Sequence, residues 1–242
     1  MSRASVDARA VLVPVGAGER RLGALLAKHP VLVGGQRGAP FLVGALNRFV
    51  RHGEQPTPRS KVAQGYPLAM DRPRILLAPG ASGTIETLRQ HEAGLDARDI
   101  DVRLVELPRG RAERAIPVYR RALEEEAGVE PIIGGHSFGG RVASLLAAET
   151  PPAGLVLLSY PLHAPGRQPS WDERTAHWPR ITCPVLLLSG ESDPFAQIGL
   201  LRRAVARLPD ATLVTYPGVG HGLAPVLEEA LDRVAAFATD HS

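Results

Sequence analysis

Short apolar runs alternate with longer amphipathic segments from Arg74 onward, and this rhythm constrains the fold more than any other feature of the sequence. The apolar runs predict six strands, at residues 75–78, 102–106, 131–134, 154–159, 185–189 and 212–216. The intervening segments predict helices at residues 84–93, 112–127, 141–150, 196–207 and 223–239. This alternation is typical of βα units around a mainly parallel sheet with helices on both faces. Because the crossovers are right-handed, the carboxyl ends of the strands meet at one edge, where ligands of such sheets bind.

Residues 1–69 do not continue this rhythm, and we interpret them as an N-terminal extension and linker that precede a domain at residues 70–242. Residues 53–67 are polar and rich in proline, which is typical of a linker. Val11–Val15 and residues 31–33 are apolar enough for strands, and residues 22–28 for a short helix. Two alternatives stay open for this segment: it supplies edge strands to the sheet, or it is partly disordered.

The composition excludes several classes of protein. With 44% hydrophobic and 22% charged residues, the chain has the balance of a globular protein rather than of a disordered one. The net charge is only +3 and no run of Lys and Arg with interleaved aromatic residues occurs, so we predict no nucleic-acid partner. No uninterrupted apolar run reaches the length of about 18 residues that a membrane helix needs, so we predict no membrane span.

The cysteine content indicates the cellular compartment and limits the kinds of metal site that the chain can form. The single cysteine, Cys183, excludes an intramolecular disulfide and a zinc site built from cysteines. A chain with so little cysteine fits the reducing cytoplasm. No cluster of His, Asp and Glu has the spacing of metal ligands, and we therefore predict no metal and no organic cofactor.

The sequence Gly-His-Ser-Phe-Gly at residues 135–139 lies where the third predicted strand gives way to a helix. A serine on a sharp strand-to-helix turn presents an exposed hydroxyl group, and glycines two residues before and after it permit close backbone approach. Ser137 is therefore the predicted nucleophile. His136 precedes it, and its side chain points either to a substrate or into the protein; we leave it outside the catalytic residues.

An activated serine needs a base and an acid that orients the base, and both have candidates in loops at the same sheet edge. His221 lies in the glycine-rich loop 218–222, directly after the last predicted strand. Asp193 follows the fifth strand, with Glu191 as its rival and helix capping as an alternative role. The chain order Ser137, Asp193, His221 is that of hydrolases whose catalytic residues follow successive strands of a parallel sheet.

Two backbone N–H groups are candidates for stabilising an oxyanion. Phe138 follows the nucleophile directly, which is the usual position of the first donor. The second is Ala81, in the loop 79–83 after the first predicted strand. The alternative for this loop is a plain glycine-rich turn before a helix.

Residues 76–83, 134–141, 160–163, 190–195 and 220–222 together resemble the α/β-hydrolase superfamily, and within it the small bacterial branch of dienelactone-hydrolase-like proteins. The resemblance covers about residues 72–240. It implies the α/β-hydrolase fold, with a mainly parallel sheet of about six core strands and no large cap domain. Two departures matter: Pro79-Gly80 stands where many relatives have His-Gly, and Ser137 stands where dienelactone hydrolases have cysteine, so their substrate is not carried over.

These residues predict a serine hydrolase that cleaves an ester or thioester of a small acyl substrate through an acyl-enzyme intermediate. Two alternatives remain. A binding or scaffold protein would keep the hydrolase body without turnover, and an acyltransferase would pass the acyl group to an acceptor other than water.

The predicted substrate pocket involves residues 161–182, which occupy the place where larger hydrolases insert a lid. His163, Trp171 and Trp178 are the candidates for lining an acyl or leaving-group pocket. The alternative is that both tryptophans simply pack this segment onto the body. Arg109 and Arg111 follow the second predicted strand and either attract an anionic substrate or remain solvated.

Overall fold

The computed structural model describes residues 11–15, 72–81, 84–126 and 128–242, and strands of these residues form a single sheet. The strands are β1 (Val11–Val15), β2 (Arg74–Ala78), β3 (Asp101–Leu104), β4 (Ile132–His136), β5 (Gly154–Leu158), β6 (Val185–Gly190) and β7 (Ala211–Tyr216). Their spatial order is β1-β7-β6-β5-β4-β2-β3. The strands β2 to β7 are parallel, which confirms the predicted sheet of six core strands.

The strand β1 lies at one edge of the sheet and pairs antiparallel with β7. Its register places Val11 opposite Thr215 and Val15 opposite Ala211. This pairing is what the edge-strand alternative predicts for this stretch of the N-terminal segment. The other expectations for that segment, a strand at 31–33, a helix at 22–28 and a linker at 53–67, lie outside the described residues.

Helices cover both faces of the sheet. Their bounds are α1 (Arg89–Asp96), α2 (Ala112–Glu124), α3 (Phe138–Ala147), α4 (Trp171–Arg174), α5 (Ile198–Val205) and α6 (Leu227–Asp240). The helix α3 begins three residues before its predicted start at 141, because the turn at Ser137 leads directly into it. The first and last predicted helices open with short 3-10 turns, at Ile85–Leu88 and Ala224–Val226.

Alternate residues of each strand divide the core into two layers. Leu76 and Ala78 of β2 pack with α2, α3 and α5, whereas Ile75 and Leu77 pack with α1 and α6. This is the period-two pattern of a strand that is buried on both faces.

A buried hydroxyl group fixes α2 to the centre of the sheet. Tyr119 Oη lies 2.8 Å from the carbonyl oxygen of Leu76 and 2.7 Å from that of Gly134, and it accepts the Gly134 N–H at 3.0 Å. The contact joins β2 and β4 directly before the loops that follow them. Those two loops carry the predicted nucleophile and oxyanion donors.

The segment between β5 and β6 is short and packs onto the body rather than forming a separate cap. Trp178 is fully buried and its ring lies edge-on to that of Tyr160, 5.0 Å between centroids. His177 is also buried, and its Nε2 lies 2.8 Å from Ser144 Oγ on α3. Within the part of the chain that the structure describes, no helix has the length and apolar character to cross a membrane.

Burial makes His177 sensitive to acid. Removal from water lowers its pKa to about 4, and the charges of Arg141 and Arg180 act in the same direction. Burial lowers the pKa of His91 to about 4 as well, with a smaller effect from His136. Both imidazoles are therefore neutral in the folded protein at pH values where the unfolded chain already binds protons.

We expect the free energy of unfolding to fall as the pH drops from about 6.5 towards 4, because only the unfolded state gains protons in this window. For His177 the loss between pH 7 and pH 4.5 is about 2 kcal/mol. Urea unfolding at several pH values measures it. The variants His177→Asn and His91→Asn should each flatten the pH dependence, and a double variant with the wild-type slope would contradict this explanation.

Candidate active site

Ser137 lies between β4 and α3 in a backbone conformation that a non-glycine residue rarely adopts, with φ 50° and ψ −110°. Hydrogen bonds hold the residue on both sides. Its N–H donates to the Leu158 carbonyl at 2.8 Å, and its carbonyl accepts the Arg141 N–H at 3.0 Å. Such a conformation costs on the order of 1 to 3 kcal/mol and persists only where the surroundings enforce it. The sharp turn brings the serine to the wall of a cavity.

The glycines around Ser137 let this turn press against the end of β2. A Cβ at Gly135 would lie 2.5 Å from the Ala78 carbonyl oxygen. A Cβ at Gly139 would lie 2.5 Å from the Ala78 carbonyl carbon and 2.8 Å from the Pro79 carbonyl oxygen. Backbone atoms cannot yield as a flexible side chain can, so both positions require glycine.

The side chains of Ser137, His221 and Asp193 form a continuous hydrogen-bonded chain. His221 Nε2 lies 2.8 Å from Ser137 Oγ, and His221 Nδ1 lies 2.8 Å from Asp193 Oδ2. Three loops, after β4, β6 and β7, bring these residues together at the carboxyl edge of the sheet. With its Nδ1 proton donated to the carboxylate, the imidazole has Nε2 free to accept the serine proton.

The carboxylate of Asp193 is fully buried and has a defined partner for each oxygen. Oδ2 accepts from His221, and Oδ1 accepts the Phe195 N–H at 2.8 Å. Its rival Glu191 is engaged elsewhere, accepting the Thr215 hydroxyl at 2.8 Å and pairing with Arg202 at 3.3 Å. Geometry therefore separates the two acidic candidates, and only Asp193 contacts the imidazole.

His136 supports the loop of His221. Its Nε2 lies 3.2 Å from the His221 carbonyl oxygen, and the two rings are 5.2 Å apart. Burial lowers the pKa of His136, although the hydrogen bond to that carbonyl acts in the opposite direction. A neutral His136 with its proton on Nε2 fits these contacts. Phe195 flanks the His221 ring as well, at 4.6 Å between centroids.

The two predicted oxyanion donors, Phe138 and Ala81, line the same cavity as Ser137. The N–H of Phe138 is the first of α3, and the initial N–H groups of a helix lack intrahelical partners. The loop after β2 also passes close to the serine, because a Cβ at Gly80 would lie 3.6 Å from Ser137 Cβ. The backbone approach of this loop to the serine is thus present with proline at position 79.

The cavity at Ser137 has a volume of about 640 Å³, which is in the range of small-molecule sites. Part of its wall is apolar, from Phe138, Pro161, Ala164 and Phe195. The polar part includes three arginines and one acidic residue, Arg111, Arg141, Arg174 and Glu113.

The structure does not bring His163, Trp171 and Trp178 to this cavity. Both ring nitrogens of buried His163 contact backbone: Nδ1 lies 3.0 Å from the Ala164 carbonyl, and Nε2 accepts the Gln197 N–H at 3.0 Å. The Trp171 ring lies 4.4 Å from the Arg207 guanidinium carbon, and Trp178 is buried in the core. The positions of the tryptophans agree with the packing alternative, and the polar contacts of His163 are to backbone.

Arg141 and Arg174 are cavity residues that the sequence reasoning missed. A signal for Arg141 existed, since it stands one helical turn after Ser137. No local pattern marks Arg174, because its place depends on how the whole segment 161–182 folds back. Arg111 lines the cavity, whereas the neighbouring Arg109 is exposed and does not. Among the described residues, no three His, Cys, Asp or Glu side chains are grouped to hold a metal ion.

Two glycines at equivalent helix positions test the packing of the serine turn. Gly139 is the second residue of α3 and meets β2, whereas Gly199 is the second residue of α5 and has open space around it. We expect Gly139→Ala to lower the free energy of unfolding by roughly 1 to 3 kcal/mol or more. Gly199→Ala should be neutral or stabilising by up to about 1 kcal/mol. Urea unfolding compares them, and equal effects would refute the steric argument.

Solved structures of hydrolases share this architecture. The monoacylglycerol lipase of Paleococcus ferrophilus has a TM-score of 0.63 at 19% identity, over 71% of this chain and 96% of that one. A CIB-like hydrolase of Thermoplasma acidophilum has a TM-score of 0.60 at 19% identity, over 71% and 88%. Est1E from Butyrivibrio proteoclasticus, with ferulic acid bound, has a TM-score of 0.59 at 15% identity, over 70% and 89%. At these identities, the likeness is one of fold.

A family model supports the same relationship from the sequence. The model of the alpha/beta hydrolase domain matches residues 73–237, which is more than half of the chain. The match includes the strands β2 to β7 and the residues Ser137, Asp193 and His221. The chain therefore belongs to the alpha/beta hydrolase family.

Proposed function

We propose that the protein is a serine hydrolase that cleaves an ester or thioester of a small acyl substrate. The observation that supports this most is the 2.8 Å contact between His221 Nε2 and Ser137 Oγ at the wall of an open cavity. A nucleophile and a base at this separation can exchange a proton without rearrangement. The buried carboxylate of Asp193 keeps the base in the required tautomer.

The proposed reaction has two halves. Ser137 Oγ attacks the acyl carbon while His221 takes its proton, and the N–H groups of Phe138 and Ala81 stabilise the oxyanion that forms. His221 then gives the proton to the leaving alcohol or thiol, and the acyl group remains on Ser137. Water attacks this acyl-enzyme, His221 accepts a proton from it, and collapse releases the acid while the proton returns to Ser137.

Other nucleophiles of the described chain fit this role less well. Ser144 also contacts an imidazole, that of His177, but both residues are buried and neither lines the cavity. Burial raises the pKa of the Cys183 thiol to about 11, so this side chain stays protonated at neutral pH.

The structural neighbours favour ester chemistry over the alternatives. One neighbour is a monoacylglycerol lipase, and another holds ferulic acid. The short segment between β5 and β6 supports a place in the dienelactone-hydrolase-like branch. The single cysteine supports a cytoplasmic location.

Labelling with a fluorophosphonate probe tests the nucleophile. We expect the wild-type protein to be labelled and Ser137→Ala to be unlabelled while it unfolds at a similar urea concentration. Ser144→Ala is the matched control, because it removes the other serine that contacts a histidine, and it should still react. A folded wild-type protein that fails to react would favour the scaffold alternative.

Hydrolysis of chromogenic esters of increasing acyl length, measured in variants, tests the proposed role of Asp193 in orienting His221. Asp193→Asn should lower kcat by roughly 10³ to 10⁴-fold, because the amide stabilises the wrong imidazole tautomer. Glu191→Gln, which changes the rival carboxylate, should retain most of the activity. Comparable losses of activity in both variants would contradict a specific role of Asp193.

Alcohols or hydroxylamine added during turnover reveal acyl transfer to acceptors other than water.

A further inference from the structure

The cavity at Ser137 carries an excess of positive charge that the reaction itself does not require. Among the described residues, three arginines and a single acidic residue line it. Ester hydrolysis needs none of these arginines, since the proton transfers involve only Ser137 and His221. Their presence indicates something about the molecule that binds.

Arg141 is poorly neutralised by its surroundings. Its side chain is only 20% exposed, and its nearest carboxylate is that of Glu113 at 3.9 Å, which is itself 64% exposed. Such a pair contributes little to stability. The closer contact is to backbone, because Arg141 Nη1 donates to the Arg174 carbonyl at 3.1 Å.

Arg174 is held in the same manner. Its Nη1 donates to the Pro161 carbonyl at 3.0 Å, and it forms no ion pair with any carboxylate of the described chain. Partial burial and the neighbouring charge of Arg141 lower the pKa of Arg174. Each of the two guanidinium groups is thus held by a backbone carbonyl, and the two like charges act on one another.

Three other arginines of the described chain, Arg74, Arg98 and Arg103, each contact two carboxylates. The two cavity arginines have free donors, and a guanidinium group in a partly desolvated wall gains most from an oxyanion that occupies two of its donors at once.

The position of Arg141 on α3 places this residue one helical turn from Ser137. Its backbone N–H donates to the Ser137 carbonyl, so the two residues are one helical turn apart, about 6 Å along the axis. Side chains of a helix lean towards its N-terminus, which here is the Ser137 end. A charged group on a small substrate can therefore reach the arginines while its ester carbonyl lies at the serine.

We propose that Arg141 and Arg174 bind an oxyanion, a carboxylate or a phosphate, carried by the ester substrate. The inference rests on the proposed hydrolase function and narrows its substrate class to anionic esters. The anion lies either on the acyl portion or on the leaving group, and the experiment separates these cases.

Two pairs of matched esters measure the preference through kcat/KM. The first compares mono-4-nitrophenyl adipate with its methyl ester, and the second compares 4-acetoxybenzoate with its methyl ester. We expect the anionic member of at least one pair to be the better substrate. Arg141→Gln and Arg174→Gln should each reduce the anionic-to-neutral ratio by roughly tenfold. The ratio cancels effects that a variant exerts equally on both esters.

Arg109→Gln is the matched control, because Arg109 is exposed on the loop after β3 and does not line the cavity. Its ratio should equal that of the wild type. Ratios near one in both pairs for the wild type, or ratios unaffected by Arg141→Gln and Arg174→Gln, would overturn the inference and leave the hydrolase proposal standing. Failure of the protein to hydrolyse any ester would instead contradict the hydrolase proposal.

Binding to the inactive Ser137→Ala protein gives a readout independent of turnover. Calorimetric titration with adipate and with inorganic phosphate distinguishes the two oxyanions. We expect at least one of them to bind, with its affinity reduced roughly tenfold when Arg141→Gln is added. Absence of binding by both, or binding that Arg141→Gln leaves unchanged, would overturn the inference even if no ester is turned over.

Discussion

The close approach of the turn after β4 to the end of β2 is the constraint on which the rest of the site depends. The backbone at Gly135 and Gly139 lies so near the Ala78 carbonyl that a side chain at either position would overlap it. This contact leaves Ser137 with little choice of conformation, and its positive φ follows. The same approach sets the start of α3, and therefore the positions of the Phe138 N–H and of Arg141. One packing constraint thus positions the proposed nucleophile, a proposed oxyanion donor and a charged residue of the cavity wall.

A second close approach joins the loops of Asp193 and His221. A Cβ at Gly190 would lie 2.5 Å from the Val219 carbonyl carbon, and Ser192 N–H donates to the Val219 carbonyl at 2.9 Å. The loops that follow β6 and β7 are therefore in direct contact before Asp193 meets His221. The hydrogen bond from His136 to the His221 carbonyl adds a third connection, from the strand that carries the serine. Backbone contacts, and not only the hydrogen bonds between the side chains of Ser137, His221 and Asp193, maintain the alignment of these three residues.

The sequence allowed the parallel sheet and the three central side chains to be predicted, because each depends on local patterns. Apolar runs of four to six residues mark buried strands, and Ser137, Asp193 and His221 each follow one of them in a loop rich in glycine, proline or small residues. The residues of the pocket wall have no such signal. His163 and Trp178 could be placed only once the path of the segment 161–182 was known, since their partners Gln197 and Tyr160 are distant from them in the sequence. Burial of an aromatic residue in a loop cannot be read from its neighbours in the chain.

That same segment is a fixed wall of the cavity rather than a swinging lid. His177 contacts Ser144 on α3, and the Arg174 carbonyl accepts from both Tyr160 Oη, at 2.9 Å, and Arg141, at 3.1 Å. A wall attached at these points holds the guanidinium groups before any substrate arrives, so little ordering accompanies binding. The free-energy cost of desolvating Arg141 and Arg174 and of their mutual repulsion is then part of folding, and an incoming oxyanion relieves the repulsion. Preorganised charge of this kind discriminates against substrates that lack an anionic group. A neutral ester leaves both guanidinium groups partly desolvated and without an anion.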